Sequence, residues 1–391
     1  MYYIDSRAVT EAIGKDARTF RALLDFGGRI LSGADVGRIT IEHTMSDDDT
    51  LSIGDIIARR AEIHLYGTRH VAKGESFRLY LYLLDHDGTG RARHLDLSQW
   101  THAELAMLTH AQIAALGITK DADGAALDGY LIPFGAFVVA NVRISGISTV
   151  ITAYDRLAAC DMPYVPSIPF PTDSGTLTED VLTQLGITER VIPDSGAFIT
   201  SDAGPLLTAE GEEFLCSDEY SFAIPDAPDG KTCREVLGYI AAMHGGNGIL
   251  DRNGAYTTAF IARGGAAFDM EKLDEPEIAE ADISVDGLRC ILGSDAELTA
   301  GNPEGAHAVE FTCPWMTRER LLAIWDSIRH IRWRPAQVHE RLADPRRDIG
   351  DLRYYSRGRD RFHIPILSLT YHFDGGLSAD ITAAGRLDEE V

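Results

Sequence analysis

The side chains able to do chemistry are scattered along this sequence. His102 and His110 fall on one expected helix, eight residues apart. A metal pair on a helix needs three- or four-residue spacing, so solvent-exposed histidines are the favoured reading. His86 and His94 flank Asp85, Asp87 and Asp96 in a glycine-containing turn. The ordered carboxylate spacing of a calcium loop is missing there, and a polar turn is favoured. Gly245-Gly246-Asn247-Gly248 has the composition of a phosphate cradle but follows a helix. A phosphate loop follows a strand and opens a helix, so a helix stop and a turn are expected instead. No G-x-S-x-G elbow, H-E-x-x-H pair or Cys/His nucleophile signature occurs. Sixty carboxylates always furnish a pair for glycoside hydrolysis, and nothing singles one out. The expectation is a non-enzyme with no catalytic, cofactor-binding or metal-ligating residues and no cofactor.

Charge narrows the partners. Lys and Arg number 36 against 60 Asp and Glu, a formal charge of −24, which disfavours nucleic-acid binding as the main task. Arg318 to Arg361 runs the other way, with twelve Arg against seven acids. The sharp reading is a nucleic-acid patch; the favoured one is a surface that meets acidic protein neighbours or the chain's own acidic domain. The five cysteines form no C-x-x-C pair and read as buried or incidental thiols in a reducing compartment. The N-terminus lacks a basic-then-apolar signal pattern, no apolar run approaches the length of a membrane span, and synthesis in a cytoplasm is expected.

The elements that must position these groups are mainly β. At 391 residues two or three domains are expected. The strongest pattern is the alternation from Phe362 to Gly385, broken by Asp374-Gly375-Gly376 as a hairpin turn. Leu131 to Asp155 repeats the design, with its turn at Ser145-Gly146. Pro133 and Pro365 each follow an Ile at the expected head of a first strand. Two copies of one hairpin predict two related β-domains flanking a small α+β module.

The first domain is expected over 1–155. Its strands are Phe20–Phe26, Gly37–His43, Ile56–Tyr66 and Phe77–Leu83, with an acidic turn at Ser46–Asp49. A helical insertion is expected at about 96–128, opened by a capping box at Thr101 and Glu104 and ended by Gly117. The connecting module and linker span 156–282. They hold an irregular stretch with four prolines at Asp161–Pro171, a helix opened by Thr176 and Glu179, and a helix opened by Thr232 and Glu235. Asp251-Arg252-Asn253-Gly254 is expected to turn a hairpin into Tyr256–Ile261, and the acidic Glu271–Asp282 to be a linker. The last domain, 283–391, has strands at Ile283–Leu292 and Ala308–Cys313 and a helix capped by Thr317 with Leu321, Ile324, Trp325 and Ile328 on one face.

The motifs fall in a distinctive order: ITAYD at Ile151–Asp155, a Pro-rich stretch, TCREVLGYIAAMHG at Thr232–Gly245 and DRNG. CPWMT at Cys313–Thr317, IGD at Ile349–Asp351 and the closing IPILSLTYHFDGGLSADITAAG follow. This order resembles the tail hub of tailed bacteriophages, the baseplate hub or N-terminal region of tail-associated tip proteins, and is similar to hub domains of type VI secretion spike proteins. The resemblance covers most of residues 20–385; the first 18 residues and the 96–128 insertion depart from it.

It implies two tube-like β-barrel domains per chain and a homotrimer whose pseudo-six-fold ring closes the tail tube. The implied partners are a six-fold distal tail or tail tube protein, the tape-measure protein, and a central spike or tail fibre protein. DNA would pass through the lumen without specific binding. The implied location is the virion tail tip or baseplate, after assembly in the host bacterial cytoplasm. Many relatives carry a peptidase or lysozyme-like extension after the hub region, and with six residues after Gly385 none is expected here. The rival readings are a tail-tip cell-wall hydrolase and the hub of a contractile injection or secretion machine.

Overall fold

The computed structural model describes residues 13–14, 18–45, 51–84, 129–188, 222–261, 267–269, 273–294, 296–357, 360–383 and 385. The expected acidic turn at Ser46–Asp49, the His86 and His94 turn, the 96–128 insertion with His102 and His110, and Cys216 lie outside them.

The chain is mainly β, and one antiparallel sheet dominates. Its strands are β1 (Thr19–Asp25), β2 (Ile30–Ser32), β3 (Val36–Thr44), β4 (Arg60–Tyr66), β5 (Ser76–Leu84), β6 (Gly129–Ser145), β7 (Ser148–Tyr154), β8 (Leu273–Ile278), β9 (Ala336–Glu340), β10 (Ser368–Phe373) and β11 (Leu377–Thr382). They lie in the order β8-β9-β11-β10-β3-β4-β7-β6-β5-β1-β2. Alternation drives this arrangement: along β3 Ile39, Ile41 and His43 point inward, while Thr40, Glu42 and Thr44 point out. A one-residue slip would exchange the two sets, which fixes the register.

Both repeated hairpins are present, β6–β7 turning at Gly146 (φ 60°) and β10–β11 turning at Gly375 (φ 77°). They do not belong to two separately closed sheets. β3 pairs with β4 on one side and with β10 on the other, Ile41 opposite Tyr371, so strands from both ends of the chain share one sheet. Among the described residues no sheet closes into a barrel; this one ends at β2 and β8.

Four local expectations are corrected. Pro133 does not head its strand but sits inside β6, where Leu79 pairs with Gly135 and Tyr80 with Pro133; this bulge accommodates a residue without an N–H. Pro365 ends the strand Asp360–Pro365, which pairs with Leu352–Arg357, so the expected single strand from Phe362 to Phe373 is two. Asp173, not Thr176, caps α1 (Ser174–Gln184): its carboxylate accepts from Thr176 N at 2.9 Å. Part of the expected linker is β8, an edge strand paired with β9.

α2 (Cys233–Met243) opens with the expected Thr232–Glu235 capping box. Nine of its residues are buried, nearly all round, as befits a helix inside the core rather than on it. A Cβ on Gly238 would lie 2.5 Å from Gly54 O, so the chain before β4 presses directly on this helix. α3 (Arg318–Ile328) is capped by Thr317 and buries Leu321, Ile324 and Ile328 as its period predicts. A smaller sheet joins Gly287–Gly293 to Ala296–Gly301 and Val309–Thr312.

Candidate functional site

Two features carry concentrated polar chemistry: a buried ionic junction beneath the large sheet and the open polar face of that sheet.

The junction centres on Asp348, in the loop after β9. Arg59 Nη2 donates to Asp348 Oδ2 at 2.9 Å, and Arg252 Nε to the same oxygen at 3.3 Å. Ile349 N donates to Oδ1 at 3.0 Å. His43 Nδ1 lies 3.0 Å from Asp348 Oδ1 and 3.0 Å from Arg59 Nη2; depending on tautomer it donates to the carboxylate or accepts from the guanidinium. Arg252 also reaches Pro345 O and Arg347 O. Its guanidinium lies 4.7 Å from the Phe134 ring centroid, and Phe134 meets Tyr371 edge-on. His43, Arg59 and Arg252 are buried. These residues come from β3, the start of β4, β6, β10, the Asp251–Gly254 turn and the 341–351 loop, so the junction ties both ends of the chain to the middle module.

Electrostatics argue that the junction is structural. Two guanidinium groups and the His43 ring hold the Asp348 carboxyl well below the ordinary carboxylate range, against the penalty of burial. Burial, reinforced by Arg59, lowers His43 to about 4, so it is neutral at pH 7. A carboxylate saturated by cations is a poor base.

The motifs in the sequence prove to be parts of this frame. Asp155, at the end of ITAYD, accepts from Arg59 N at 2.9 Å and caps the following turn through Leu157 N at 3.0 Å. Burial raises its pKa to about 6. In IGD, Gly350 has φ 83°, and a Cβ there would meet Phe260 O at 2.6 Å. In the DRNG turn, Asp251 Oδ1 accepts from Asn253 N and Ala255 N, each at 2.8 Å, which aims Arg252 inward. Gly245 (φ 76°) stops α2, and a Cβ on Gly246 would lie 2.6 Å from Ala259 O; these glycines serve packing.

Among the described residues, five arginines of the arginine-rich stretch are paired within the chain itself. Arg353 pairs with buried Glu340 at 3.0 Å, and Tyr355 donates to the same oxygen at 2.8 Å. Arg346 and Arg347 face Asp344, whose pKa falls to about 2: their hydrogen bonding and charge outweigh burial. Arg334 pairs with Asp282, and Arg320 donates to Met243 O at 2.5 Å.

The outer face of the sheet is polar from β9 across β11, β10 and β3 to β4. Arg60 donates to both Glu42 oxygens, at 2.7 and 2.8 Å, and reaches Glu62 at 3.3 Å. Asp380 stands between His339 (2.6 Å) and His372 (2.7 Å), linking three strands. Ser368, Thr370, Thr40, Ser378 and Thr382 fill the space between. No arginine of 318–361 stands on this face within these strands. Among the described residues no group of three or more His, Cys, Asp or Glu could hold a metal ion, and no helix is long and apolar enough to cross a membrane.

No protein-family model matches the chain, and no curated protein matches it in sequence. Its fold does match solved structures. The tail protein from Neisseria meningitidis MC58 is similar over 94% of this chain and 97% of that one, with a TM-score of 0.52 and 10% identity. The 43 kDa tail protein of prophage MuSo2 from Shewanella oneidensis matches over 93% and 97%, with a TM-score of 0.47 and 13% identity. An Escherichia coli component of the type VI secretion system matches over 93% of this chain and 76% of its own, with a TM-score of 0.38 and 11% identity. The chain thus shares its fold with the Neisseria tail protein, in agreement with the resemblance read from its motifs.

Proposed function

We propose that this protein is a structural tail-tip or baseplate hub. It forms a trimeric, pseudo-six-fold ring that closes a phage tail tube and connects it to a central spike or fibre. The observation that carries the reading is the fold likeness to the Neisseria tail protein over nearly the whole of both chains. Each chain contributes two tube-like domains, one from each end, and neighbouring copies cover the ends of the sheet at β2 and β8. Exposed sheet ends left without a neighbour would invite uncontrolled pairing, and a ring gives them one.

The polar face turns toward the lumen. Arg60, on the β4 side of this face, is held between Glu42 and Glu62, so it offers passing phosphates little free positive charge.

Native mass measurement of the purified full chain, alone and with its tube protein, tests the reading. Three copies per complex are expected; a monomer bound to the tube protein overturns it.

A further inference from the structure

A glycine after Asn or Asp lets a chain react with itself. Without a Cβ, the glycine N can swing onto the side-chain carbonyl carbon of the residue before it. The described residues hold five such pairs: Asp229-Gly230, Asn247-Gly248, Asn253-Gly254, Asp286-Gly287 and Asp374-Gly375.

Three of them are closed by the fold. The Asn247 carboxamide accepts from Asp55 N at 2.9 Å and donates to Met45 O and Ser52 O, each at 3.0 Å. Gly248 N is held by Asp55 O at 2.8 Å. Gly254 N donates to Asp251 O at 3.1 Å, and Asn253 N to Asp251 Oδ1 at 2.8 Å, in the turn that aims Arg252 at the junction. The Asp286 carboxylate accepts from His307 N at 3.0 Å, and a Cβ on buried Gly287 would lie 2.4 Å from Asn302.

Asp374-Gly375 and Asp229-Gly230 are open. All four residues are exposed. Gly375 has φ 77° and Gly230 φ 70°, and a Cβ on either would meet nothing within 4 Å. Among the described residues no hydrogen bond holds either carboxylate or either glycine N–H. The backbone of both turns therefore has room to rotate.

We propose that Asp374 and Asp229 are two sites at which the folded chain forms isoaspartate, and that Asn247 and Asn253 convert only when the chain opens. The glycine N attacks Cγ of the aspartic acid. Its proton and the carboxyl OH leave as water, closing a cyclic imide. A solvent water then opens the ring, and opening at the backbone carbonyl carbon leaves the main chain running through Cγ, one carbon longer. At Asp374 that carbon is added between Phe373 and Leu377, which pair across the β10–β11 hairpin. At Asn the leaving group is ammonia, and a carboxylate is gained. A carboxamide is a better electrophile than a carboxylate, so the fold reverses the chemical order of the sites.

Ageing the full chain at neutral pH, folded and in guanidinium chloride, tests this. Peptides are mapped by mass spectrometry with enzymatic methylation of isoaspartate, and ageing continues until both Asp-Gly turns have converted in the denaturant. The folded chain should carry isoaspartate at Asp374 and Asp229. Its Asn247 and Asn253 should convert at least about tenfold more slowly than in the denaturant, as groups exposed only by opening do. Asp374→Glu should remove the signal at its own position and keep that at Asp229, because the larger glutamate ring closes more slowly. A folded chain unmodified at both aspartates overturns the proposal, and modification at one alone overturns the assignment of the other. An Asn that converts as fast in the folded chain as in the denaturant overturns the protection.

Discussion

Replacing Asp348 by Ala removes a carboxylate bonded to two buried guanidiniums, those of Arg59 and Arg252. With charge centres about 4 Å apart and an effective dielectric near 20, each attraction is about 4 kcal/mol before desolvation is counted. The net loss is set by the two buried cations that lose this carboxylate, and breaking such a pair costs about 3–5 kcal/mol. Asp348→Asn keeps an acceptor and loses only the charge, so its cost should be smaller, about 1–3 kcal/mol. Urea unfolding reads this directly: at a slope of about 3 kcal/mol per molar, the Asp348→Ala midpoint falls by about 1 M or more. Adding Arg252→Met to Asp348→Ala should recover part of the loss, since it removes one of the stranded charges. An Asp348→Ala protein within about 0.5 kcal/mol of wild type, the range of ordinary surface changes, would refute the reasoning that the junction joins the chain's parts.

Two further outcomes follow from the frame. Burial lowers both His43 and His244 to about 4 and raises Asp155 to about 6. The histidines' stabilisation is present above pH 6.5 and lost as pH falls toward 4, whereas that from Asp155 is present at low pH and lost as pH rises through 6. Two protons against one leave roughly one net proton taken up on unfolding, so stability should fall by about 1.4 kcal/mol per unit between those limits; a flat or rising profile on acidification contradicts this. Gly135→Ala should destabilise by about 1–3 kcal/mol, because its strained backbone must persist with a side chain in place: Gly135 has φ +144°, and a Cβ would lie 2.8 Å from the Phe137 ring. Thermal unfolding checks it, and an unchanged midpoint counts against the close approach.

The elements legible in the sequence were those with a local signature. Alternation gave β1, β3, β5 and both hairpins, the spacing of Thr232 and Glu235 gave α2, and DRNG gave its turn. The break at Ile366-Leu367 was hidden because the apolar run continues through it while the chain changes sheets. β8 was hidden because acids and a proline suit an edge strand as well as a linker. The junction left no signal of its own. Arg252 is 96 residues from Asp348, and Arg59 is 289 residues away; only the sheet topology brings them together. The cluster of arginines over 318–361 was visible as composition, but its partners Glu340, Asp344 and Asp282 were not, since pairing depends on which side chains the fold turns inward.

The most direct test of the hub reading is a reconstruction of the assembled tail tip containing this chain. The expected result is three copies about the tube axis, six tube-like domains against the six-fold tube, and the β9–β4 polar face toward the lumen. A different stoichiometry, or a lumen lined chiefly by the arginines of 318–361, would contradict it.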